Sequence, residues 1–410
     1  MPRTRSILAI LALALPLVAK AGADGPPATT ASPQTAPCAA AHPPSGEPRL
    51  DKVGAVGVAS SEIVDAKRRD PVDPRHERRW RVDVYYPARA SAAGPRAYAP
   101  DRALVEAMVA ERYYEVDAAT LRGWLERPGP AVAGAVADTP SPAPLVTLSP
   151  GAGVAGFNYS ELAAALVRHG YVVAVIDHPY LGISRLADGR LLRASEDPAM
   201  KSEEPESWAP RVHEWSRDVS VTLDRLLAGD RPAEIPPTLA IDSRRIVVTG
   251  HSLGGTVAIQ VCSDDPRVQG CADFEGTPEP TTAFRTGTSK PTLMTGARSA
   301  KPDRPFNKPA LDDPRWSFLA KGDGRSNWAI AITRGSHMSY SDAPAEMPAT
   351  LSRFGGELMT SERSFAVYTG IVDAFVEAYA PGGGGNAAFG AFLASLPEVK
   401  ATSSDGGAER

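Results

Sequence analysis

The chain has 410 residues, 43% of them hydrophobic, three cysteines and a formal net charge of −4. That length and apolar content suffice for one large domain with its own core. The near balance of charge, with no basic cluster, argues against a nucleic-acid surface or an anionic-membrane surface. No apolar run after the N-terminal one is long enough to span a bilayer.

The chain opens as an export signal would. Arg3 and Arg5 precede the apolar stretch Ile7 to Val18, and Ala19-Lys20-Ala21 or Ala21-Gly22-Ala23 offers a small-residue cleavage site. Residues 1–23 are therefore expected to be a signal peptide and 24–48, rich in Ala, Pro and Thr, a disordered leader. Residues 49–400 are expected to form one α/β domain and 401–410 a disordered tail. The corresponding location is outside the cytoplasm, periplasmic or secreted.

From Trp80 onward, strand and helix patterns alternate. Trp80 to Tyr86 alternates as a strand does and ends at Pro87, and Asp101 to Leu125 has helical spacing. Leu145 to Leu148 reads as a short buried strand running into Ser149-Pro150-Gly151-Ala152-Gly153. A helix over 159–169, an apolar strand over 171–176, an irregular acidic stretch over 188–208 and an amphipathic helix over 210–227 follow. Further strands are predicted at 245–248, 271–274, 291–295 and 328–332, with a closing helix over 364–379. Strands separated by helices predict a mostly parallel central sheet with helices on both faces. Cys38 falls in the leader, while Cys262 and Cys271 are either a disulfide across a short connection or two buried thiols. Neither they nor the histidines have the spacing of a metal site.

One segment carries the chemistry. Arg245-Ile246-Val247-Val248 leads into Thr249-Gly250-His251-Ser252-Leu253-Gly254-Gly255, and Thr256 to Gln260 then suits a helix. Strand, sharp turn and helix around G-x-S-x-G is the context of a nucleophile elbow, an α/β-hydrolase feature. A serine hydroxyl needs a base, and the base needs an orienting group. His337 is the one histidine downstream of Ser252, in Thr333-Arg334-Gly335-Ser336-His337 after the strand 328–332. Three carboxylates remain open as the acid: Glu275 at the end of the strand 271–274, Asp303, and Asp273. Oxyanion donors are expected at the backbone N–H of Leu253 and of Ala152. His251 is expected to pack or hydrogen-bond locally, His178 to cap a loop, and His76 and His213 to be surface or helix residues. Trp208, Trp215, Phe157 and Tyr180 are candidates for an apolar wall. Acyl transfer of this kind needs no metal or cofactor, and Gly151-Ala152-Gly153 lacks the spacing of a dinucleotide fingerprint.

These segments together resemble the platelet-activating-factor acetylhydrolase family, which includes lipoprotein-associated phospholipase A2. The resemblance runs from about Asp51 to Tyr379, through Val84-Tyr85-Tyr86-Pro87, Leu148 to Gly153, Arg168 to Val173, Ile241 to Val248, the Gly-His-Ser-Leu-Gly-Gly elbow and Arg334 to His337. It implies an α/β-hydrolase fold and cleavage of carboxylic esters through an acyl-enzyme, with short-chain or phospholipid-type esters as substrates. It also favours Glu275 as the acid, where the family usually carries Asp. Pro150 stands where the family's oxyanion loop usually has His. Lipases, cutinases, polyester hydrolases and serine peptidases or amidases of the same fold share most of these motifs. The expected partner is a small-molecule ester or lipid, and oligomeric state is left open.

Overall fold

The strands, in chain order, are β1 (Ala55–Arg69), β2 (Glu77–Ala88), β3 (Val132–Ala133), β4 (Ala143–Ser149), β5 (Val172–Asp177), β6 (Ile183–Arg185), β7 (Leu191–Arg193), β8 (Ile241–His251), β9 (Gly270–Phe274), β10 (Thr292–Ala297), β11 (Asn327–Ile332) and β12 (Val399–Ser403). In this computed structural model residues 53–202, 204–228, 231–297, 317–321, 326–347 and 359–403 are described. The expected signal peptide and leader lie outside them. All strands but β6 and β7 join one sheet in the order β12-β11-β10-β9-β8-β4-β5-β2-β1-β3. Its middle, β5-β4-β8-β9-β10-β11, is parallel throughout. The β1–β2, β2–β5 and β11–β12 pairs are antiparallel.

The core follows from strand alternation. Successive side chains point to opposite faces, and β4 and β5 sort accordingly. Val146, Leu148, Val173 and Val175 enter one apolar cluster, and Leu145, Val172, Ala174 and Ile176 the other. After the short helices α1 (Arg102–Ala110) and α2 (Ala118–Gly123), α3 (Ser160–Arg168) and the helix Ser361–Tyr379 cover the first cluster, through Leu162, Leu166, Ile371 and Phe375. The second is covered by α4 (Ala209–Leu227) and α5 (Leu253–Asp264), through Val212, Trp215, Val219, Val257 and Ile259. Burial on both faces explains why the central strands read as continuous apolar runs. No described helix is long and apolar enough to cross a membrane.

Cys262, late in α5, is bonded to Cys271 in β9, which decides between the disulfide and the two thiols. Three sequence expectations change. The stretch 101–125 is two helices, Arg102–Ala110 and Ala118–Gly123, separated by residues of which Arg112, Tyr114 and Glu115 have positive φ. The irregular acidic stretch contains β7 and three single turns, at Ala194–Glu196, Pro198–Lys201 and Pro205–Trp208. The tail boundary also moves: Ala401 to Ser403 is not disordered but completes the edge strand β12, pairing Trp328 with Ser403 and Ile330 with Ala401. Val399 and Ala401 pack on the core, which makes ordering that edge favourable.

Strand β1 was not expected from the sequence. Its far end and the start of β2 bring Arg68 and Arg78 into the interior beside α4. Both Arg78 bonds to the Asp218 carboxylate are 2.6 Å, and Arg68 Nη2 reaches the same group at 2.8 Å. Burial alone raises the Asp218 carboxyl, but the Arg78 guanidinium and His178 outweigh it and hold the group well below the usual carboxylate range. Its contribution to stability is therefore present above the unfolded value of about 4 and is lost as pH falls below it. Removing one partner of such a buried pair leaves uncompensated charge. Asp218→Ala is expected to lower unfolding free energy by about 3–5 kcal/mol in urea titrations near neutral pH. It should also flatten the acid limb of the stability curve; an unchanged midpoint would contradict the account.

Candidate active site

Ser252 sits between β8 and α5 at φ 54°, ψ −128°. A side-chain-bearing residue seldom adopts positive φ, and doing so costs on the order of 1–3 kcal/mol. The neighbours make it feasible. A Cβ at Gly250 would overlap the Gly254 carbonyl, and a Cβ at Gly254 would overlap the carbonyls of Ser149 and Pro150. Both glycines are therefore required by close approach. The Ser252 N–H donates to the Phe274 carbonyl at 2.8 Å, tying the turn to the end of β9.

The next residue after Phe274 is Glu275, at φ 64°. Its Oε2 lies 2.8 Å from Nδ1 of His337. His337 follows β11 and opens the turn His337–Tyr340, where Ser336 and Ser339 cap each other reciprocally. A carboxylate only accepts, so Nδ1 carries a proton, and in the neutral ring Nε2 then presents its lone pair. Nε2 is buried and has no hydrogen-bond partner among the described residues. Of the other two candidate acids, Asp273 is fully buried and accepts from the Gly276 N–H at 2.6 Å. Burial pushes its carboxyl well above the usual range. Asp303 lies outside the described residues.

The loop after β4 lies against the elbow. A Cβ at Gly151 would come within 3.2 Å of the Ser252 Cβ. Its backbone donors are almost all occupied. Gly151 N–H donates to Tyr159 Oη, Gly153 N–H to the Leu181 carbonyl and Val154 N–H to the Gly151 carbonyl. Ala155 N–H donates to Tyr113 Oη and Gly156 N–H to Asp177 Oδ1. Among the described residues, the Ala152 N–H alone in this stretch has no partner. Leu253, the first residue of α5, has an N–H that no preceding helical carbonyl can satisfy. Tyr114 Oη donates to the Ala152 carbonyl at 3.0 Å, so the segment 112–115, with positive φ at Arg112, Tyr114 and Glu115, braces this loop.

Several residues differ from expectation. Trp215 is fully buried with Nε1 donating to the Pro179 carbonyl, and Trp208, Phe157 and Tyr180 are likewise buried, so none is an open wall. His178 does not cap a loop. Its Nδ1 is 3.2 Å from Asp218 and its Nε2 is 2.9 Å from Ser149 Oγ, all within the core. Burial lowers the proton affinity of His178. Tyr113, Tyr114 and Tyr159 were missed as site neighbours, because an aromatic in an apolar pattern carries no sign that its hydroxyl serves a loop. Among the described residues no group of three or more His, Cys, Asp or Glu could hold a metal ion.

Comparison with known proteins adds relatives. A profile of the Dienelactone hydrolase family matches residues 132–320, a span that carries Ser252 and Glu275 and stops short of His337. A probable 1-alkyl-2-acetylglycerophosphocholine esterase of Arthroderma benhamiae is 24% identical over 218 residues, 50% of this chain and 50% of that protein. The chain thus spans about half the length of this curated relative. The solved structure of a ferulic acid esterase from Streptomyces cinnamoneus superposes with a TM-score of 0.67 at 27% identity, covering 86% of this chain and 97% of that one. The parallel sheet, the strand–turn–helix at Ser252 and these likenesses identify the chain as an α/β-hydrolase fold, similar over 132–320 to the Dienelactone hydrolase family.

Proposed function

We propose that this chain is a serine-dependent carboxylic ester hydrolase working through an acyl-enzyme. The observation that carries the reading is the Glu275–His337 pair at 2.8 Å, with the opposite imidazole nitrogen buried and unpartnered. In a neutral ring that nitrogen offers a lone pair, which supports its role as general base. Ser252 Oγ attacks the ester carbonyl while His337 Nε2 takes its proton. Glu275 orients the ring and stabilises the imidazolium. The N–H groups of Leu253 and Ala152 receive the developing oxyanion, and each such donor is worth on the order of 3 kcal/mol in the transition state. His337 then returns its proton to the departing alcohol. Water repeats the sequence on the acyl-enzyme and frees Ser252.

Both relatives bear the names of esterases, one of acetylglycerophosphocholines and one of ferulic acid. They support esters over amides as the substrate class. The platelet-activating-factor acetylhydrolase-like reading adds short-chain and phospholipid-type esters as the finer proposal. Export is proposed with it, since the N-terminal signal pattern and the Cys262–Cys271 disulfide both fit an oxidising compartment.

Ser252→Ala and His337→Ala are each expected to lower kcat for p-nitrophenyl acetate by about 10⁴–10⁶-fold with circular dichroism unchanged. Glu275→Gln should cost about 10²–10⁴-fold, whereas Asp273→Asn, at a buried carboxyl whose bond goes to the Gly276 N–H and not to His337, should cost less than about threefold. Full activity in the Ser252 or His337 variant would remove the mechanism. In a panel pairing each ester with its amide, faster amide cleavage would turn the reading toward a peptidase. For export, N-terminal sequencing of the secreted protein should begin at Gly22 or Asp24, and an intact Met1 terminus would count against it.

A further inference from the structure

His251, the residue before the nucleophile, takes no part in the proton transfer described above, yet both its ring nitrogens are engaged. Its Nε2 lies 2.7 Å from the His337 carbonyl oxygen, and its Nδ1 lies 2.8 Å from Tyr159 Oη. Tyr159 Oη in turn accepts the Gly151 N–H at 2.8 Å. The side chains of both residues are buried.

The chemistry fixes the direction of every bond. A carbonyl oxygen only accepts, so His251 Nε2 must carry a proton and donate it. In a neutral ring Nδ1 is then an acceptor, and only the Tyr159 hydroxyl proton is available to it. That leaves the phenol oxygen's lone pair for the Gly151 N–H. The result is one unbroken run: Gly151 N–H to Tyr159 Oη, Tyr159 O–H to His251 Nδ1, His251 Nε2–H to the His337 carbonyl. Burial first, and the nearby His337 second, lower the proton affinity of His251 well below that of an ordinary histidine. A protonated ring would have two donors and would turn one against the Tyr159 hydroxyl proton. Burial also holds the phenol proton on Tyr159.

The two ends of this run are the two halves of the proposed machinery. Gly151 precedes Ala152, whose N–H has no partner among the described residues, and His337 carries the proposed base. We propose that His251 and Tyr159 are positioning residues that tie the oxyanion loop to the base-bearing loop, so that the donor and the base keep a fixed separation across Ser252. The Gly151 N–H, already given to Tyr159, is thereby excluded from the oxyanion hole and Ala152 is left to serve. This inference rests on the ester-hydrolase reading and adds two residues that act through other groups, His251 also packing its ring against that of His337 at a centroid distance of 4.8 Å.

The test is steady-state hydrolysis of p-nitrophenyl acetate by Tyr159→Phe, His251→Gln, His251→Leu and the Tyr159→Phe/His251→Leu double variant, with thermal melts alongside. Tyr159→Phe is expected to lower kcat about tenfold or more while KM stays within about twofold, the pattern of a lost transition-state arrangement. His251→Leu fills similar volume without polar atoms and should lose about 10–100-fold in kcat; His251→Gln, which keeps a donor for the His337 carbonyl, should recover part of that loss. The double variant should be no more than about twofold worse than His251→Leu, because the first cut already breaks the run. Equal activity of the Gln and Leu variants, kcat near wild type in Tyr159→Phe, additive losses, or a change confined to KM would each overturn the proposal. So would failure of Tyr159→Phe to fold, which would mark the run as a stability element. A wild-type protein that neither hydrolyses the ester nor reacts with a fluorophosphonate would instead overturn the ester-hydrolase reading itself.

Discussion

Ser252 is held at a backbone conformation that an L-residue adopts only under constraint, and much of the surrounding structure supplies that constraint. Gly250 and Gly254 leave room for the chain to double back against the carbonyls of Ser149 and Pro150. The Ser252 N–H is taken by the Phe274 carbonyl, so the end of β9 is fixed against the turn, and with it Glu275. From Glu275 the position passes to His337 through a 2.8 Å bond. A chain of short contacts thus runs from one strained turn through Glu275 to the His337 imidazole, the groups to which the proposed mechanism gives the roles of nucleophile, acid and base. The parallel sheet provides the frame, since β4, β8, β9 and β11 all deliver their ends to this edge.

Among the described residues, two sets bring a serine, a histidine and a carboxylate near one another, and they differ in one respect that matters chemically. Ser149, His178 and Asp218 are fully connected and wholly interior: the histidine nitrogen facing the serine is already bonded to it at 2.9 Å. Such a set stabilises the fold and anchors Ser149, whose carbonyl abuts Gly254. At the elbow, His337 Nε2 is left without a partner among the described residues, while its neighbour Nδ1 is fully engaged. An unsatisfied buried acceptor is costly in a finished core and useful at a reacting centre. Residue identity alone does not separate the two sets; their hydrogen-bond saturation does.

The parts of this arrangement that rest on local steric rules were legible in the sequence. The glycine spacing around Ser252, the β-branched run before it and the lone downstream His337 each follow from constraints that act within a few residues or by elimination. Glu275 was legible as a candidate but not separable from Asp273 by strand position, because residues two apart share a face; the turn to positive φ at Glu275 is what parts them. Features that depend on distant partners were hidden. The strand β1 carries Ser60, Ser61, Glu62 and Asp65 among its apolar residues, and only pairing with β2 reveals its register. The tail strand β12 is short and polar, and exists because β11 offers an open edge. Tyr113, Tyr114 and Tyr159 are buried aromatics whose hydroxyls also hold the loop 151–156, a role that no local pattern signals.

The central claim is that the backbone N–H groups of Ala152 and Leu253 and Nε2 of His337 converge on the group attached to Ser252. A crystal structure of the protein after reaction with a fluorophosphonate ester tests it most directly, because the tetrahedral phosphorus stands in for the carbonyl carbon under attack. The account predicts phosphorus bonded to Ser252 Oγ, with its unsubstituted oxygen about 2.7–3.1 Å from both backbone nitrogens. His337 Nε2 should lie within hydrogen-bond reach of an oxygen on the adduct. An adduct on another residue, or an oxygen turned away from both nitrogens, would contradict it.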